Sequence, residues 1–530
     1  MARLSRQFIR GAGCVLVFAG LASAQNAWNT TGGDAQRTSS VATDPNISVA
    51  GMQKPGFQFL WKVKVANDAI AGRSLSQAIE LPRYIGYRGF RAYAFFAGTS
   101  NNLIALDSDL GRVEWTRHLD IPLPQGTATC PGGMTSGVSR PTALDATGGG
   151  GRGAGAGAGR AGRGAVSAVG EPGQGAVQIA AQAAAAGGRA AARGGATGGS
   201  GGRGGGGGGG RGAAIGTNDL FALTSDGLLH AVYVSNGQDA ISPIRFLPPN
   251  ANASGLIFTE SDVFASTSGN CGGVPNGVWS LDFTSSDKNV NSWKSNGGGV
   301  VGTAFSPDGT VYGSTADGDY SPAAFSDSVV ALDGKTLKMK DYFTPAKSAF
   351  TTAPVVFAWQ GKEVVAAANQ DGRIYLLDAA SPGGADHRTP LAQSAPGNVA
   401  VGDLATWEAG GTRWILAPTG ARAGGSGAIA AFKVVDQAGR PTLQSAWVSR
   451  DLIVPQTPTV VNGVVFAVSG GDAQHAAVLY ALDGATGKEL WNSGSTMTSF
   501  ARTGISGGAS QLYLGTNDGT IYAFGFPLVK

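Results

Sequence analysis

Near its C-terminus the chain reads Leu479-Tyr-Ala-Leu-Asp483-Gly-Ala-Thr-Gly487-Lys-Glu-Leu-Trp491. A near copy stands close to the other end, Leu103-Ile-Ala-Leu-Asp107-Ser-Asp-Leu-Gly111-Arg-Val-Glu-Trp115. Each copy is an apolar strand ending in Asp, a turn that contains Gly, and a second strand ending in Trp. We expect the Asp to accept backbone N–H bonds in the turn, the Gly to supply a left-handed residue, and the Trp to cover the seam between repeats.

Six weaker copies of this repeat lie at residues 219–223, 278–282, 329–333, 374–378, 429–432 and 520–524. The central residues of successive copies are 42 to 58 residues apart, except for one gap of 117. That gap shrinks to 51 when the 66-residue Gly/Ala-rich tract 148–213 is set aside. Strands that repeat at such a period are typical of a β-propeller. The sequence therefore predicts an all-β propeller of eight four-stranded blades.

The two ends of the chain are expected to share one blade. The last copy ends at residue 524 and leaves no room for an outer strand that contains Trp. An unassigned strand, Phe59-Leu-Trp61-Lys-Val-Lys-Val65, lies near the N-terminus. A single blade cannot bury both of its faces, so the ring must close. We predict that this N-terminal strand completes the last blade, and that a truncation before residue 59 is tolerated far better than one through Val65.

Composition and charge exclude several classes of protein. The 530 residues include 86 Gly and 24 Pro without a collagen period, and no long apolar run follows the N-terminus, so we expect no transmembrane segment. Residues 1–24 contribute +3 and the tract 148–213 contributes +6 to the net charge of +4, which leaves the rest mildly acidic. A nucleic-acid partner is therefore not expected. The tract has few large apolar residues and is predicted to be a disordered insert between blades one and two.

The first 24 residues have the order of a secretory signal peptide. Arg3, Arg6 and Arg10 precede an apolar stretch, and Ala22-Ser23-Ala24 supplies the small residues that cleavage needs. We predict cleavage before Gln25, a mature propeller of residues 25–530, and a periplasmic or secreted location. No lipid anchor is expected, because the apolar stretch follows Cys14 instead of preceding it.

Two cysteines remain after cleavage, Cys130 and Cys271. An even count in an exported protein favours a disulfide between them, with two separate buried thiols as the alternative. Their loops would either staple two long connections, which we favour, or line a binding site on one face of the propeller. The histidines are scattered and no C-x-x-C occurs, so the sequence contains no local metal or redox motif.

The phrase A-L-D-x-x-T-G-x-x-x-W resembles the repeat of the PQQ-like eight-bladed propellers, the quinoprotein-alcohol-dehydrogenase-like family. The opening Trp28-Asn-Thr-Thr-Gly-Gly-Asp34-Ala-Gln-Arg37 is similar to the start of many members. The resemblance implies the fold and two alternative functions. One branch contains dehydrogenases that use pyrroloquinoline quinone (PQQ) and calcium. The other contains outer-membrane-assembly scaffolds that bind no cofactor.

The dehydrogenase branch implies an adjacent cysteine pair, a Trp stacked on the quinone, and Glu, Asn and Asp ligands for Ca²⁺. This sequence has no adjacent cysteine pair, and we assign no Ca²⁺ ligands or catalytic residues. We therefore predict a binding or scaffold propeller that holds a protein, peptide or saccharide on its loop face. A PQQ- and calcium-dependent oxidoreductase acting on alcohols or sugars is the alternative. Structural roles are predicted for the repeat residues Asp107, Gly111, Trp115, Asp483, Gly487 and Trp491.

Overall fold

The structure of the chain is a computed structural model. It describes residues 28–86, 89–123, 126–144, 219–318, 321, 324–345, 347–420 and 426–527. The predicted signal peptide and the tract 148–213 lie outside these residues. The described chain is all-β, and its strands form eight sheets that follow one another in sequence. The innermost strands of neighbouring sheets contact one another, and the last contacts the first, so the predicted eight-bladed propeller is confirmed.

The blades are numbered in chain order, and the strands of each are given from the axis outward. Blade 1 consists of Ile79–Gly86, Gly89–Gly98, Asn102–Asp107 and Arg112–His118. Blade 2 contains Asp219–Leu223, Leu228–Tyr233 and Ile244–Arg245. Blade 3 consists of Asn252–Thr259, Asp262–Ser268, Gly277–Asp282 and Val290–Lys294, and Pro141–Thr142 pairs with its inner edge. Blade 4 consists of Val300–Phe305, Val311–Thr315, Val329–Leu332 and Met339–Phe343.

Blades 5 to 8 complete the ring. Blade 5 consists of Val355–Trp359, Lys362–Ala368, Ile374–Asp378 and Ala392–Gln393. Blade 6 consists of Ala405–Ala409, Thr412–Thr419, Ala428–Gln437 and Arg440–Val448. Blade 7 consists of Thr459–Val461, Val464–Ser469, Val478–Asp483 and Glu489–Asn492, and Ser40–Val41 pairs with its inner edge. Blade 8 consists of Ser506–Gly508, Gln511–Gly515, Thr520–Gly525 and the N-terminal Gln58–Lys64. One short helix, Val49–Met52, and a 3-10 turn, Cys271–Gly273, are the helical elements of the described chain. No described helix has the length and hydropathy that a membrane span requires.

The chain ends share blade 8, as the sequence predicts. Gln58–Lys64 runs antiparallel to Thr520–Gly525, with Val63 opposite Ile521. This strand is the outer edge of its blade, and Lys62 and Lys64 place charges along it. Charged edges oppose pairing with another chain, so the closure also protects the ring from edge-to-edge association.

In blade 2 the repeat predicted at residues 219–223 is wrong by one strand. Residues 219–223 were expected to be the counterpart of the Ala-Leu-Asp strand, but they form the second strand of the blade. Ser139 takes the innermost position through a bridge to Phe221. The true counterpart is Leu228–Tyr233, whose Ala231 is followed six residues later by Gly237, as Ala105 is by Gly111. The tract 148–213 therefore interrupts blade 2 between its first two strands, and does not separate blade 1 from blade 2.

The repeat residues join neighbouring blades. Asp107 Oδ1 accepts from the N–H of Leu110 at 3.1 Å, and Asp483 Oδ1 accepts from Ala485 and Thr486 at 2.8 and 3.1 Å. Gly111 and Gly487 have φ of 62° and 72°, so each turn uses a left-handed residue. A tryptophan from the preceding blade lies on such a glycine at three seams, where Trp61 covers Gly111, Trp115 covers Gly237 and Trp447 covers Gly487.

Each of these three indoles also donates its N–H to a carbonyl of the covered turn. The acceptors are Ser108, Val234 and Gly484, at 2.9 to 3.0 Å. Trp491 differs, because blade 8 takes its outer strand from the N-terminus and has no such turn. Its ring instead meets Phe57 edge to face at 4.9 Å and lies against Phe524 at 5.8 Å.

Residues 28–47, which we call the N-terminal belt, contact every blade in order around the axis. Main-chain N–H groups of the inner strands donate to belt carbonyls in six blades, at 2.8 to 3.0 Å: Glu80 to Trp28, Arg140 to Asn29, Phe305 to Ala35, Val356 to Gln36, Thr406 to Thr38 and Val460 to Ser39. Thr30 Oγ1 donates to the carbonyl of Leu256 in blade 3, and Asp44 accepts from the N–H of Ser510 in blade 8.

The belt changes the expectation about truncation. The sequence predicts that a truncation before residue 59 is tolerated far better than one through Val65. The belt, however, accepts hydrogen bonds from inner-strand N–H groups that have no sheet partner on the axis side. Buried N–H groups without an acceptor are costly. Removal of the belt is therefore expected to damage the ring as much as removal of the closing strand does.

Candidate functional site

A cavity of about 380 Å³ lies on the propeller axis, and we call it the axial cavity. Its walls are the first residues of the inner strands of most blades and the segments just before those strands, among them residues 75–77, 134–137, 254–255, 301–302, 401–403, 456–457 and 502–504. Its floor is the belt, which contributes Thr31, Gly32 and Arg37. The cavity therefore opens on the face where each inner strand begins, which is the loop face of the sequence analysis.

The charged groups of the axial cavity are mostly cationic. Arg37, Arg73 and Arg502 line it, together with a single carboxylate, Asp403. Arg37 is the buried member, with its side chain 11% exposed, and its Nη2 donates to Asp403 Oδ2 at 2.7 Å. Its Nε is buried and has no hydrogen-bond partner among the described residues. Among the described residues, three guanidinium groups against one carboxylate leave a net positive charge at the cavity.

The two other arginines stand nearer to the mouth. Arg73 is exposed, and Arg502 is half-buried over the ring of Phe500, with its guanidinium carbon 4.5 Å from the ring centre. The Nη1 of Arg502 donates to the carbonyls of Gly471 and Ala501 at 3.0 and 2.9 Å. These contacts hold one cation in place at the wall while its remaining N–H donors stay available. The polar wall is completed by the amides of Gln77 and Gln456.

Backbone strain marks the floor and the rim of the cavity. Arg37 has φ of 59°, and Val454, two residues before the wall residue Gln456, has φ of 47°. A β-branched residue in this region is a steric outlier. Val401, which lines the cavity, is 50% exposed, and Val454 is 43% exposed. Strained residues and exposed apolar side chains at one opening are typical of a binding site.

Cys130 and Cys271 are joined by a disulfide, with Cα atoms 5.5 Å apart. Cys271 lies in the connection between the second and third strands of blade 3, on the loop face. The partner loop contributes Pro131, Gly132 and Met134 to the wall of the axial cavity. The geometry therefore supports both functions considered for these loops, because the same bond that staples them also fixes part of the cavity wall.

The lining of the axial cavity does not fit a calcium–quinone pair. Calcium takes six to eight oxygen ligands, including carboxylates. The cavity offers only Asp403, whose oxygens already accept from Arg37 and from the N–H of Ala353 at 2.8 Å. Among the residues that the structure describes, no tryptophan lines the cavity to stack on a flat ring. In the part of the chain that the structure describes, no three His, Cys, Asp or Glu side chains group as a metal site.

None of the repeat residues singled out in the sequence lines the axial cavity. Asp107, Gly111, Trp115, Asp483, Gly487 and Trp491 lie at the outer strands and turns, where they join blades. No pattern in the sequence predicts the arginine cluster. Arg37 stands inside the quoted opening motif, but nothing in the sequence relates it to Arg73 or to Arg502, which is 465 positions away. Only the belt and the closed ring bring the three arginines to one cavity.

Comparison with known proteins shows a likeness of fold. No family model matches the chain, and no curated protein matches it. The quinohemoprotein alcohol dehydrogenase from Comamonas testosteroni is similar in structure, with a TM-score of 0.57 at 12% identity, over 96% of this chain and 82% of that one. A europium-containing methanol dehydrogenase gives a TM-score of 0.56 at 10% identity, over 94% and 98%. BamB from Moraxella catarrhalis gives 0.50 at 12%, over 89% and 99%. The chain therefore has the eight-bladed propeller fold that the quinoprotein alcohol dehydrogenases and BamB share.

Proposed function

We propose that the chain is an exported binding propeller that holds a carboxylate-bearing ligand in the axial cavity of its loop face. The observation that carries the proposal is the set of three guanidinium groups, those of Arg37, Arg73 and Arg502, that lines the cavity together with one carboxylate, which is already paired with Arg37. Arginine forms charge-assisted, planar pairs of hydrogen bonds with carboxylates. Three arginines against one engaged carboxylate favour an anion over a cation.

The size and surroundings of the cavity indicate the kind of ligand. A volume of about 380 Å³ lies near the lower end of the range for small-molecule sites, and accommodates a sugar acid or the acidic side chain of a partner protein. The side chain of Val401, which lines the cavity and is 50% exposed, gives a partner apolar contact area beside the anionic group. The same cavity thus serves the saccharide and the protein or peptide partners that the sequence analysis considers.

The test is a titration of the purified chain with glucuronate, with a Glu-rich peptide and with neutral glucose, followed by melting temperature and calorimetry. We expect the two anions to raise the melting temperature saturably, because ligand binding to the native state stabilises it, and glucose to have no effect. Arg502→Gln should weaken anion binding about tenfold, by loss of a charge-assisted hydrogen bond. Arg388→Gln, an exposed arginine in blade 5, is the matched control and should bind as the wild type does.

The outcome also separates the saccharide from the protein partner. Tighter binding of glucuronate than of the peptide would favour an acidic saccharide, and the reverse would favour a protein. Equal binding of glucose, or binding that is unchanged in Arg502→Gln, would overturn the proposal.

A quinoprotein oxidoreductase is the second candidate, and the fold likeness to alcohol dehydrogenases favours it. PQQ itself carries carboxylates, so the arginines alone could bind it. The dehydrogenase hypothesis requires more, namely binding that depends on Ca²⁺, because calcium polarises the quinone in that chemistry. A titration with PQQ in calcium and then in chelator distinguishes the two. Affinity that is the same in both supports the anion site, and affinity that is lost in chelator supports the dehydrogenase.

A further inference from the structure

A second cavity, of about 330 Å³, lies at the seam between blades 8 and 1. It is lined by the turn Gly508–Gln511 between the first two strands of blade 8, by the turn residues Ser108 and Asp109 of blade 1, and by Asn46. These turns lie where the inner strands end, so the cavity is on the face opposite to the axial cavity. We call it the seam cavity.

The floor of the seam cavity contains a buried carboxyl group that has no counter-ion among the described residues. Glu80 is 3% exposed, its Oε1 has no hydrogen-bond partner in the described chain, and the hydroxyl of Ser506 is near enough to lower its pKa. Its backbone, in contrast, is firmly held, because its N–H donates to Trp28 and its carbonyl accepts from Arg140 Nη1 at 3.2 Å. A buried acid without a counter-ion is among the most costly groups in a folded protein. A rigidly placed one that lines a cavity is a candidate ligand-binding group.

The charged groups around Glu80 indicate whether a ligand of this cavity would be a cation or an anion. Asp109 lines the same cavity, and Asp44 stands just behind it, bonded to the backbone and hydroxyl of Ser510 at 2.7 Å. The cationic side chain in the lining is Arg83, which is exposed at the mouth. Arg91 also acts on Asp109, and it is paired with Asp107 at 3.4 Å. Once Glu80 is ionised, its carboxylate and those of Asp109 and Asp44 favour a positively charged guest. The rings of Tyr93 and Tyr513 in the walls add favourable surfaces for a cation.

We propose that the seam cavity binds an organic cation, an alkylammonium or guanidinium group, through Glu80 and Asp109. The group could belong to a free amine or to a Lys or Arg side chain of a partner protein. This site is independent of the anion site proposed for the axial cavity. The two faces of the propeller would then hold ligands of opposite charge.

The titration of Glu80 gives the site a distinct signature. Burial raises the pKa of Glu80 to about 8, and the charge of Asp44 adds to the increase. Burial also raises the pKa of Tyr93 to about 12 and that of Tyr513 well above its usual value, so neither phenol titrates in the same range. At neutral pH a cation must therefore displace the proton of Glu80. The apparent affinity should rise about tenfold from pH 7 to pH 9, and close to one proton should be released per cation at pH 7.

The experiment is calorimetric titration of the full chain with n-butylammonium and methylguanidinium at pH 7 and pH 9, in buffers of different ionisation enthalpy that reveal the released proton. Neutral n-butanol is the control ligand and should not bind measurably. Glu80→Gln should weaken binding at least tenfold at pH 9 and abolish the proton release. Glu363→Gln, a half-buried glutamate of blade 5, should leave both unchanged.

A second variant and a peptide ligand complete the experiment. Asp109→Asn changes an exposed side chain and should weaken binding several-fold without affecting folding, so it tests the site even if Glu80→Gln does not fold. A lysine-containing peptide that binds more tightly than butylammonium would identify a protein partner, and the reverse would identify a free amine. Equal binding of n-butanol, affinity that does not rise with pH, or tighter binding of Na⁺ or Ca²⁺ than of the amines would overturn the proposal.

Discussion

Arg37 and Asp403 form an ion pair of 2.7 Å between the N-terminal belt and the entry to blade 6. The pair lies 366 positions apart in sequence, at the floor and wall of the axial cavity. It fixes the guanidinium on the axis of the ring, although the backbone of Arg37 is strained there. The contact thus serves the fold and the cavity at once.

Asp403→Asn should therefore have two effects of opposite sign. The variant leaves a largely buried guanidinium without its counter-ion, so we expect a loss of about 1 to 3 kcal/mol in the free energy of unfolding. It also removes the carboxylate of the axial cavity, so glucuronate should bind several-fold more tightly. Chemical denaturation and calorimetry measure the two effects. Asp436→Asn, an exposed aspartate of blade 6, is the control, and the same change in both variants would contradict the prediction.

Replacement of Gly111 by any residue with a side chain should destabilise the fold. A Cβ on Gly111 would lie 2.4 Å from Cγ of Trp61, in a turn where φ is 62°. Gly463 has φ of 80° but open space around it, so it isolates the cost of the backbone conformation. We expect Gly463→Ala to cost about 1 to 2 kcal/mol and Gly111→Ala to cost about 1 to 3 kcal/mol more, because the indole must move. Equal losses in urea denaturation would show that the Trp contact between blades is unimportant.

A chain that begins at Phe57 should not form a stable ring. It retains the closing strand but loses the belt, which accepts hydrogen bonds from six inner-strand N–H groups. Each buried donor that is left without an acceptor costs roughly 1 to 3 kcal/mol, and the sum is comparable to the whole stability of a typical domain. Limited proteolysis and circular dichroism report the outcome. The control is a chain that begins at Gln25, and equal protease resistance of the two would contradict the role of the belt.

The disulfide should contribute to stability and to ligand binding together. It joins residues 141 positions apart, so its removal in Cys130→Ser/Cys271→Ser should cost about 4 to 5 kcal/mol in the loop-entropy model. Because Pro131, Gly132 and Met134 line the axial cavity, glucuronate should also bind less tightly. The wild type in reductant is the matched comparison and should behave as the double variant does. Lower stability with unchanged binding would leave the bond as a staple alone.

The free energy of unfolding should fall as the pH rises, because the buried Glu80 must lose its proton. Burial holds the pKa of Glu80 at about 8 in the folded chain, above its value of 4.5 when exposed. The folded state then binds the extra proton between these values, so this carboxyl stabilises the fold fully below about pH 4.5. The contribution is lost as pH rises through 8, at about 1.4 kcal/mol per pH unit in between.

Glu80→Gln removes this dependence, because glutamine stays neutral. Its melting temperature should match that of the wild type near pH 5 and exceed it at pH 8.5. Asp287→Asn, at an exposed turn of blade 3, should show the wild-type profile. A wild type that is as stable at pH 8.5 as at pH 5 would contradict the assignment.

Much of the architecture is local and therefore predictable. The Asp and Gly of a turn act through hydrogen bonds and φ angles within a few residues. The residues of a repeat such as 479–491 therefore predict its strand, turn and strand. Blade 2 shows where this reasoning fails. Its repeat has Tyr233 where five of the other repeats have Asp, and the segment 219–223, which matches the repeat more closely, forms the neighbouring strand. Only the pairing of the strands identifies Leu228–Tyr233 as the counterpart of the Ala-Leu-Asp strand.

The sequence by itself determined the number of blades, the closing strand and the cysteines available for pairing, because repetition, strand pattern and composition are properties of neighbouring residues. Only the tertiary structure decided what occupies the axis and the seam. The belt, the Arg37–Asp403 pair and the buried Glu80 depend on groups brought together from positions hundreds of residues apart. Their chemistry arises from burial and from missing partners. These are properties of the closed ring, and no local pattern of residues encodes them.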